Sequence, residues 1–452
     1  MSTNHDGVDR TGGVVVIQQR LYPLVGIINH QWCIMDNVRT VNRVLFFISV
    51  LVTGAVAGAF VWFVLFVMNL GITFIWDRVP VYLGSLYPVI VCVIGGVVIG
   101  LFTKRFGNYP EDMQTVMAKV RKDGGYRYDN IGTMSVAALL PLVFGGSVGP
   151  EAGLVGVIAG VCTWVGDRMK RFGRDFKELT EAGIYAALSA IFTAPLYGFA
   201  GSMGGGRASG EGEVQPSKGM RIAVNAIAIA GAFLTFIYLS ENVAAGMSLP
   251  RYTDIGYGGD EFLWLIPVAL IGGFAGWLFC VLDVSFSRIA ARMGEKPVMK
   301  AVIAGLLLGL CGIALPFTMF AGEVQAEELN EMWFTMSVAL LLLTGFVKIA
   351  ITALCVNMGW RGGHFFPVIF AGISIGYGLS MLVGIDPVFC VCAVTAAVVG
   401  GTMRRPLMAV LLLFLCFPFH SVLVLAVAAV IGAYLPLPKA VKGGLHGADK
   451  VE

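Results

Sequence analysis

Charged side chains are scarce in this sequence. Asp, Glu, Lys and Arg make up 13% of its 452 residues, whereas 57% of the residues are hydrophobic. Because an ordinary soluble domain is about 25% charged, this composition excludes a soluble globular protein. The formal net charge of +3 is too small to indicate a nucleic-acid partner.

Side chains that bind metals or carry out catalysis are also few. The five histidines are scattered along the chain, and the nine cysteines lie in or beside apolar segments without paired loop spacing. Core packing is therefore the expected role of most cysteines. The ionisable residues within the apolar runs form no recognisable set of nucleophile, base and metal ligand. We therefore expect no metal, no cofactor and no enzyme activity.

The sequence is rich in long uncharged runs and in glycine, of which there are 59. Many of the runs reach the ~20 apolar residues that a spanning helix needs. Glycine suits close helix contact and backbone that unwinds where protein covers it. The sequence thus predicts an all-α polytopic membrane protein. The uncharged runs include residues 44–76, 81–103, 131–150, 182–206, 262–282, 301–322, 362–385 and 406–438.

The distribution of charge predicts the topology. Lys and Arg collect in five segments, whereas residues 241–261 and 323–331 are mainly acidic. By the positive-inside rule the basic segments and both termini are cytoplasmic, which indicates a multi-pass protein of the cell inner membrane. Two apolar runs lie between Lys177 and Glu241, where an odd number of crossings is required, so at least one run must be broken or re-entrant. The basic segments are residues 39–43, 104–127, 168–177, 288–300 and 439–442.

Two pairs of matching turns indicate an internal repeat. Pro195 and Pro406 each follow a small-residue helix and precede a leucine, and they are 211 residues apart. Pro150 and Pro367 each end a glycine-rich turn, and they are 217 residues apart. Two pairs at nearly one offset favour a repeat. Short matches of this kind also arise by chance, so unrelated turns remain the alternative.

The repeat predicts a simple domain organisation. A transmembrane domain of residues 44–438 would divide into halves of about 44–240 and 260–438. Residues 1–43 are expected to form a cytoplasmic N-terminal segment. Residues 439–452 are expected to form a short cytoplasmic tail without a regulatory domain.

Two segments carry the candidate chemistry. Residues 145–151 read GGSVGPE and residues 362–367 read GGHFFP. Proline is favoured at the first helical position and glycine leaves the backbone uncovered, so each segment predicts a helix N-terminus with bare N–H groups. Such an end carries about half a positive charge and can hold an anion through backbone amides. The alternative is a pair of ordinary glycine turns between spans.

These segments resemble the CLC family of chloride channels and proton-coupled chloride transporters, and the resemblance covers most of residues 44–438. Residues 363–367 fit the family's GxFxP motif fully. Residues 146–150 fit its GxEGP motif at every place except the glutamate. Further stretches similar to family segments, in the same order, are residues 190–198, 346–355 and 403–409.

The resemblance implies a CLC-type inverted repeat of tilted and broken transmembrane helices, which forms a homodimer with one pore per subunit in the lipid bilayer. It also implies passage of a small inorganic anion, chloride or another halide, through a site formed by helix N-termini near the bilayer midplane. The residues that it places at the anion site are Gly107, Gly146, Ser147, Val148, Gly149, Pro150, Gly363, His364, Phe365, Phe366 and Pro367.

The chain also departs from the family pattern. The glutamate that serves the family as external gate and proton acceptor falls on Val148, which cannot titrate. The anion-coordinating serine is replaced, with Gly107 the nearest match, and the internal proton glutamate aligns near Gly205. The central tyrosine has only Tyr434 as a substitute gating residue. The sequence therefore resembles a branch that keeps the backbone amides and loses the side-chain chemistry.

Three ionisable residues near these motifs have two interpretations each. Glu151 is either a first-turn carboxylate favoured by the helix dipole or a displaced gate that occupies the anion site. Lys348 is either an anion ligand or a structural lysine that snorkels or forms an ion pair. His364 either lines the vestibule or packs as a neutral side chain.

Passage of a small inorganic anion is the predicted function. Two alternatives remain open, which are a secondary exchanger of another anion coupled through non-standard groups and a non-conducting membrane protein. The sequence leaves open which anion passes and whether protons are coupled to it.

Overall fold

The computed structural model describes most of the chain. Two compact units are distinguished, Met1–Val50 and Leu51–Glu452. The first unit contributes the beginning of the first helix, and the second contains the remaining helices. The described residues are 12–78, 84–107, 109–111, 113–123, 125–169, 177–204, 218–243, 249–256, 258–439 and 441.

Sixteen α-helices lie within these described ranges, and their only β pairing is one isolated bridge between Gly149 and Gly363. The first eight helices are α1 (Gly12–Trp76), α2 (Tyr87–Phe106), α3 (Met113–Asp123), α4 (Ile131–Val143), α5 (Glu151–Met169), α6 (Lys177–Ile191), α7 (Pro195–Gly204) and α8 (Lys218–Asn242). The other eight are α9 (Gly259–Arg292), α10 (Pro297–Ala314), α11 (Glu323–Met332), α12 (Val338–Asn357), α13 (Phe365–Val383), α14 (Pro387–Met403), α15 (Pro406–Leu413) and α16 (Val422–Tyr434).

Seven of the described helices are long and apolar enough to cross a membrane, and they include parts or all of α1, α2, α8, α9, α10, α12 and α13. Their outward faces expose large apolar side chains, such as Leu234 and Leu263. Lipid hydrocarbon is as apolar as these side chains, so they can contact it without the free-energy penalty of exposure to water. The predicted all-α polytopic membrane fold is therefore confirmed.

The predicted break in an apolar run is also present. Of the two apolar runs between Lys177 and Glu241, the one that begins at Ala182 holds the break, since α6 ends at Ile191 and α7 begins at Pro195. Thr193 has a φ of 49°, which ends α6, and Ala194 N donates to Ser189 O over 3.0 Å. Pro195 then starts α7, since proline suits the first helical position. In the same way Pro406 starts α15.

The helix contacts repeat with an offset of eight helices, as an internal repeat requires. Two pairs of equivalent helices, α2 with α10 and α7 with α15, contact each other directly. The contacting pairs α2–α4, α3–α5, α4–α5, α5–α6, α6–α7, α6–α8 and α7–α8 recur as α10–α12, α11–α13, α12–α13, α13–α14, α14–α15, α14–α16 and α15–α16. The predicted bounds of the repeat halves and of the flanking segments stay a prediction.

Cysteines lie mainly in the helix packing. All eight cysteines whose side chains are described are free thiols, and seven of them are buried. Their burial agrees with the expected role in core packing.

Glycine brings α2 and α10 into close contact. A methyl group at Gly96 would lie 2.5 Å from Ala301 O, and one at Gly305 would overlap Cys92 O. Both neighbours are backbone atoms, which cannot turn aside as a flexible side chain can. The two helices therefore pack backbone against backbone, as small residues allow in membranes.

Gly305→Ala should consequently destabilise the protein by about 1–3 kcal/mol, because the added methyl group forces α2 and α10 apart. Gly132→Ala is the matched control, since Gly132 also lies in a helix and a methyl group there meets no atom within 4 Å. The thermal melting temperature of both variants in detergent checks this. Equal melting temperatures would contradict the proposed backbone contact.

Candidate anion site at two helix starts

The two motif loops meet at a short antiparallel bridge. Gly149 N donates to Gly363 O over 2.7 Å, and Gly363 N donates to Gly149 O over 2.7 Å. Gly149 precedes α5 and Gly363 precedes α13, so the bridge joins the starts of equivalent helices from the two repeats. The residues of both motifs are therefore brought together.

The local sequence explains why each loop turns at this point. Gly145 has a φ of 82°, a conformation that favours glycine, and it follows the end of α4. Gly146 N donates to Pro141 O over 2.8 Å, which closes that helix end. After the bridge, α5 begins with Leu154 N donating to Pro150 O over 2.9 Å, whereas α13 begins with Val368 N donating to His364 O over 3.0 Å.

Glu151 crosses from one repeat to the other. Although it is the first residue of α5, its Oε1 accepts a hydrogen bond of 2.8 Å from Phe365 N, the first amide of α13. The side chain is 1% exposed, and its Oε2 is buried without a hydrogen-bond partner among the described residues. An anionic group thus lies at the start of the opposite helix and is only partly satisfied there.

The bridge glycines make room for this carboxylate. A methyl group at Gly149 would overlap Glu151 Oε2, and one at Gly363 would overlap Glu151 Oε1 and Cδ. A side chain at either position would therefore displace the carboxyl group from its place over the backbone of the bridge.

Aromatic rings surround the start of α13. The ring of Phe192, from the break between α6 and α7, lies 5.8 Å from that of Phe365 and 5.3 Å from that of Phe366. Tyr197 packs edge-on against Phe192 with 5.5 Å between ring centroids. Residues 190–198, one of the stretches that resemble a CLC family segment, therefore contact the candidate site through Phe192.

Several side chains of the two motifs pack inside the protein. The hydroxyl of Ser147 lies 2.9 Å from that of Thr352 and is buried. Val148 is fully buried, and Gly362 lies against it without room for a methyl group. His364 stacks on Phe279 with 5.0 Å between ring centroids. The amides of Gly146, Val148, Gly149 and Gly363 donate to carbonyl groups of the protein, whereas the Phe365 amide donates to the Glu151 carboxyl group.

Two predicted site residues, Gly107 and Tyr434, lie away from the bridge between Gly149 and Gly363. Gly107, with a φ of 95°, follows α2 and lines a separate cavity. Tyr434 ends α16 with 77% of its side chain exposed. Gly205 lies outside the described residues.

Lys348 binds backbone carbonyl groups. Its Nζ donates to Phe317 O over 3.2 Å, Met319 O over 2.7 Å and Phe320 O over 2.8 Å, and its side chain is fully buried. Phe320 N in turn donates to Gly145 O over 3.0 Å. These contacts agree with a structural lysine, which holds the loop between α10 and α11 against the first motif.

Lys348→Met should therefore cost about 3 kcal/mol of stability or more, because the three carbonyl groups that accept from this buried lysine lose their donor. Lys218→Met, at an exposed lysine of α8, is the control and should leave stability nearly unchanged. Thermal melting in detergent checks both variants. A melting temperature of Lys348→Met equal to that of the control would contradict the structural role.

Comparison with known proteins assigns this chain to a family. The model of the voltage gated chloride channel family matches residues 95–436. The putative ion-transport protein YfeO of Escherichia fergusonii is 26% identical over 320 residues, which cover 67% of this chain and 71% of that protein. YfeO of Shigella flexneri is 27% identical over 318 residues, with the same coverage.

Solved structures share the fold. A slow cyanobacterial Cl⁻/H⁺ antiporter has a TM-score of 0.69 at 18% identity and covers 88% of this chain and 94% of its own. A CLC-type fluoride/proton antiporter has a TM-score of 0.66 at 20% identity, with coverage of 86% and 94%. The predicted CLC-type inverted repeat is confirmed by this likeness. Since the family model covers most of the chain, the protein belongs to the voltage gated chloride channel family and is a multi-pass membrane protein of the anion-transport class.

Proposed function

We propose that this chain conducts a small inorganic anion, chloride or another halide, through the paired starts of α5 and α13. In this proposal Glu151 is the gate. The observation that carries it is the hydrogen bond of 2.8 Å from Phe365 N to Glu151 Oε1. A carboxylate at this amide stands where a free anion would bind, and the two cannot occupy the place together.

Only one carboxyl oxygen of Glu151 accepts a hydrogen bond, which supports its exchange with a free anion. A carboxylate that served only as a structural cap would gain from partners on both oxygens, whereas Oε2 has none among the described residues. Leaving one buried acceptor unpaired costs about 1–3 kcal/mol. The bound state of the gate is therefore not deeply stable, which suits a ligand that leaves and returns.

The chemistry of the site favours a monovalent anion. The groups that face it are backbone amides and the rings of Phe192, Phe365 and Phe366. A helix start supplies about half a positive charge, which is too little to offset a multivalent ion inside the membrane. Halides fit both the small charge and the apolar surroundings.

Orientation, localisation and assembly extend this proposal. Acidic residues lie in the first turn of α9 and Arg292 ends it, so in this proposal α9 runs from outside to inside and both termini are cytoplasmic in the inner membrane. We also propose a homodimer with one pathway per subunit, and transport without enzyme activity or a cofactor.

Glu151→Gln should give high anion efflux from liposomes that is nearly independent of pH. In the wild type a proton on Glu151 removes the negative charge that competes at Phe365 N, so efflux should rise as pH falls. Glutamine mimics the protonated form permanently. Chloride efflux of the wild type and of Glu151→Gln, measured between about pH 4.5 and 8, checks this difference in pH dependence.

Glu261→Gln is the matched control, because Glu261 is also a first-turn carboxylate but belongs to α9. It should keep the wild-type pH profile. If Glu151→Gln also keeps that profile and only melts at a lower temperature, Glu151 is a structural link between the repeats and the gate is rejected.

Chloride flux should not drive stoichiometric proton pumping. The position of the family's gating glutamate is taken by Val148, a buried side chain without a titratable group. A chloride gradient imposed on proteoliposomes should therefore move no more protons than in protein-free liposomes. A fixed ratio of protons to chloride would favour the exchanger instead, with Glu151 as the non-standard carrier, and Glu151→Gln would then abolish the coupling.

A further inference from the structure

The proposed gate is buried, so protons need a route to it. The side chain of Glu151 is 1% exposed, and its carboxyl group therefore has almost no direct contact with solvent. Two ionisable residues of the described chain interact electrostatically with it, Tyr197 of α7 and Glu323 of α11. Because a tyrosine hydroxyl keeps its proton throughout the physiological pH range, Glu323 is the neighbour that can supply one.

Packing places Glu323 beside the start of α13. Glu323 begins α11 and directly follows Gly322, which has a φ of 110°. A methyl group at Gly322 would lie 2.8 Å from Phe370 Cβ, so the backbone here packs against α13. Three residues before Glu323, Phe320 N donates to Gly145 O over 3.0 Å. Residues beside Glu323 thus contact both α13 and the loop that leads to α5.

The carboxyl group of Glu323 is buried and incompletely paired. The residue is 8% exposed, and its Oε2 is buried without a hydrogen-bond partner among the described residues, as is Oε2 of Glu151. Lys348 interacts electrostatically with Glu323, but its Nζ donates to three carbonyl groups and forms no salt bridge in the described part of the chain. Two neighbouring buried carboxyl groups are disfavoured when both are ionised, so the pair favours a state in which one of them carries a proton.

A row of carboxyl groups joins Glu323 to the surface. Glu323, Glu327 and Glu331 follow one another at intervals of four residues, which places them on one side of α11 with about 5–6 Å between successive Cβ atoms. Glu327 and Glu331 are exposed, and Glu327 interacts electrostatically with Glu323. In the proposed orientation this acidic segment lies outside. The row therefore runs from the outer surface to the buried carboxyl group.

We propose that Glu323 transfers protons between the outer solvent and Glu151, with Glu327 as the exposed entry. The inference rests on the proposed role of Glu151 as the gate. In the opening direction the O–H bond of protonated Glu323 breaks and its proton moves to the carboxylate of Glu151. Glu323 is left ionised until it takes a proton from Glu327, which regains one from solvent. Water or rotation of the two side chains carries the proton between Glu323 and Glu151.

The route ends at Glu151. It sets how quickly the gate responds to external pH and carries no proton to the inner side, so anion movement stays uncoupled from protons.

Time-resolved infrared spectroscopy of the full-length protein in detergent tests this route. Protons are released by a light pulse from a caged compound, and the absorption of the protonated carboxyl group of Glu151 is followed. That absorption is identified by its loss in Glu151→Gln. Glu323→Gln should slow its appearance at least about tenfold, because a positioned proton donor is lost. Glu323→Asp keeps a carboxyl group and should recover most of the rate.

Glu328→Gln is the matched control, since Glu328 is an acidic residue of the same helix that lies off the row. It should keep the wild-type rate. If Glu323 served only as a counter-charge of Lys348, Glu323→Gln would melt at a lower temperature but protonate Glu151 as fast as the control, which would overturn the proposal. If Glu323→Gln does not fold, Glu327→Gln at the exposed entry decides, and a rate equal to that of Glu328→Gln would overturn the proposal as well.

The infrared measurement needs no anion flux, so failure of the route and failure of the gate are distinguishable. A wild-type pH profile of efflux in Glu151→Gln rejects the gate, and the route with it. Loss of that profile in Glu151→Gln, together with unchanged protonation rates in Glu323→Gln and Glu327→Gln, rejects the route alone.

Discussion

A helix that begins inside a bilayer must find partners for its first N–H groups, because hydrocarbon offers none. The starts of α5 and α13 meet this constraint in two ways. The bridge between Gly149 and Gly363 pairs one N–H from each loop, and the carboxylate of Glu151 accepts from Phe365 N. The bridge thus pairs its own N–H groups with carbonyl groups, and the Phe365 amide alone of these three meets a carboxyl group, as an anion-binding amide would.

The glycine content follows from the same constraint. Backbone atoms can pair across the two repeats only where no side chain stands between them, as at Gly149 and Gly363. Between α2 and α10, Gly96 and Gly305 serve packing instead, with backbone of one helix against backbone of the other. Small residues supply the close contact that the hydrophobic effect does not supply in lipid.

Local features of the fold could be predicted from the sequence. Glycine and proline act on their own backbone, so the starts of α5 and α13 follow from residue type. The number of crossings predicted a break in one of the two runs between Lys177 and Glu241, and the structure shows it before Pro195. The two proline pairs also pointed to the repeat, and its contact pattern is present in the fold.

Long-range partners could not be predicted in this way. Glu151 and Phe365 are 214 residues apart, and the donor is a backbone amide that almost any residue offers. The carbonyl groups that hold Lys348 belong to apolar residues of a loop, whose side chains give no sign of the contact.

In the proposed mechanism the backbone of both motifs is a fixed frame, and the carboxylate of Glu151 is a ligand that a free anion can replace. Lys348 holds the loop at Phe320, which holds Gly145, and Val148 packs on Gly362, so the backbone of both motifs is fixed by contacts that do not involve Glu151. The carboxylate adds one further contact, from the first residue of α5 to the first amide of α13. In the proposed gating the carboxylate leaves without disturbing these contacts when another anion takes its place at that amide. The charge at the helix start then stays nearly constant throughout the exchange, and on this proposal amides without a basic side chain suffice to pass an anion through the membrane interior.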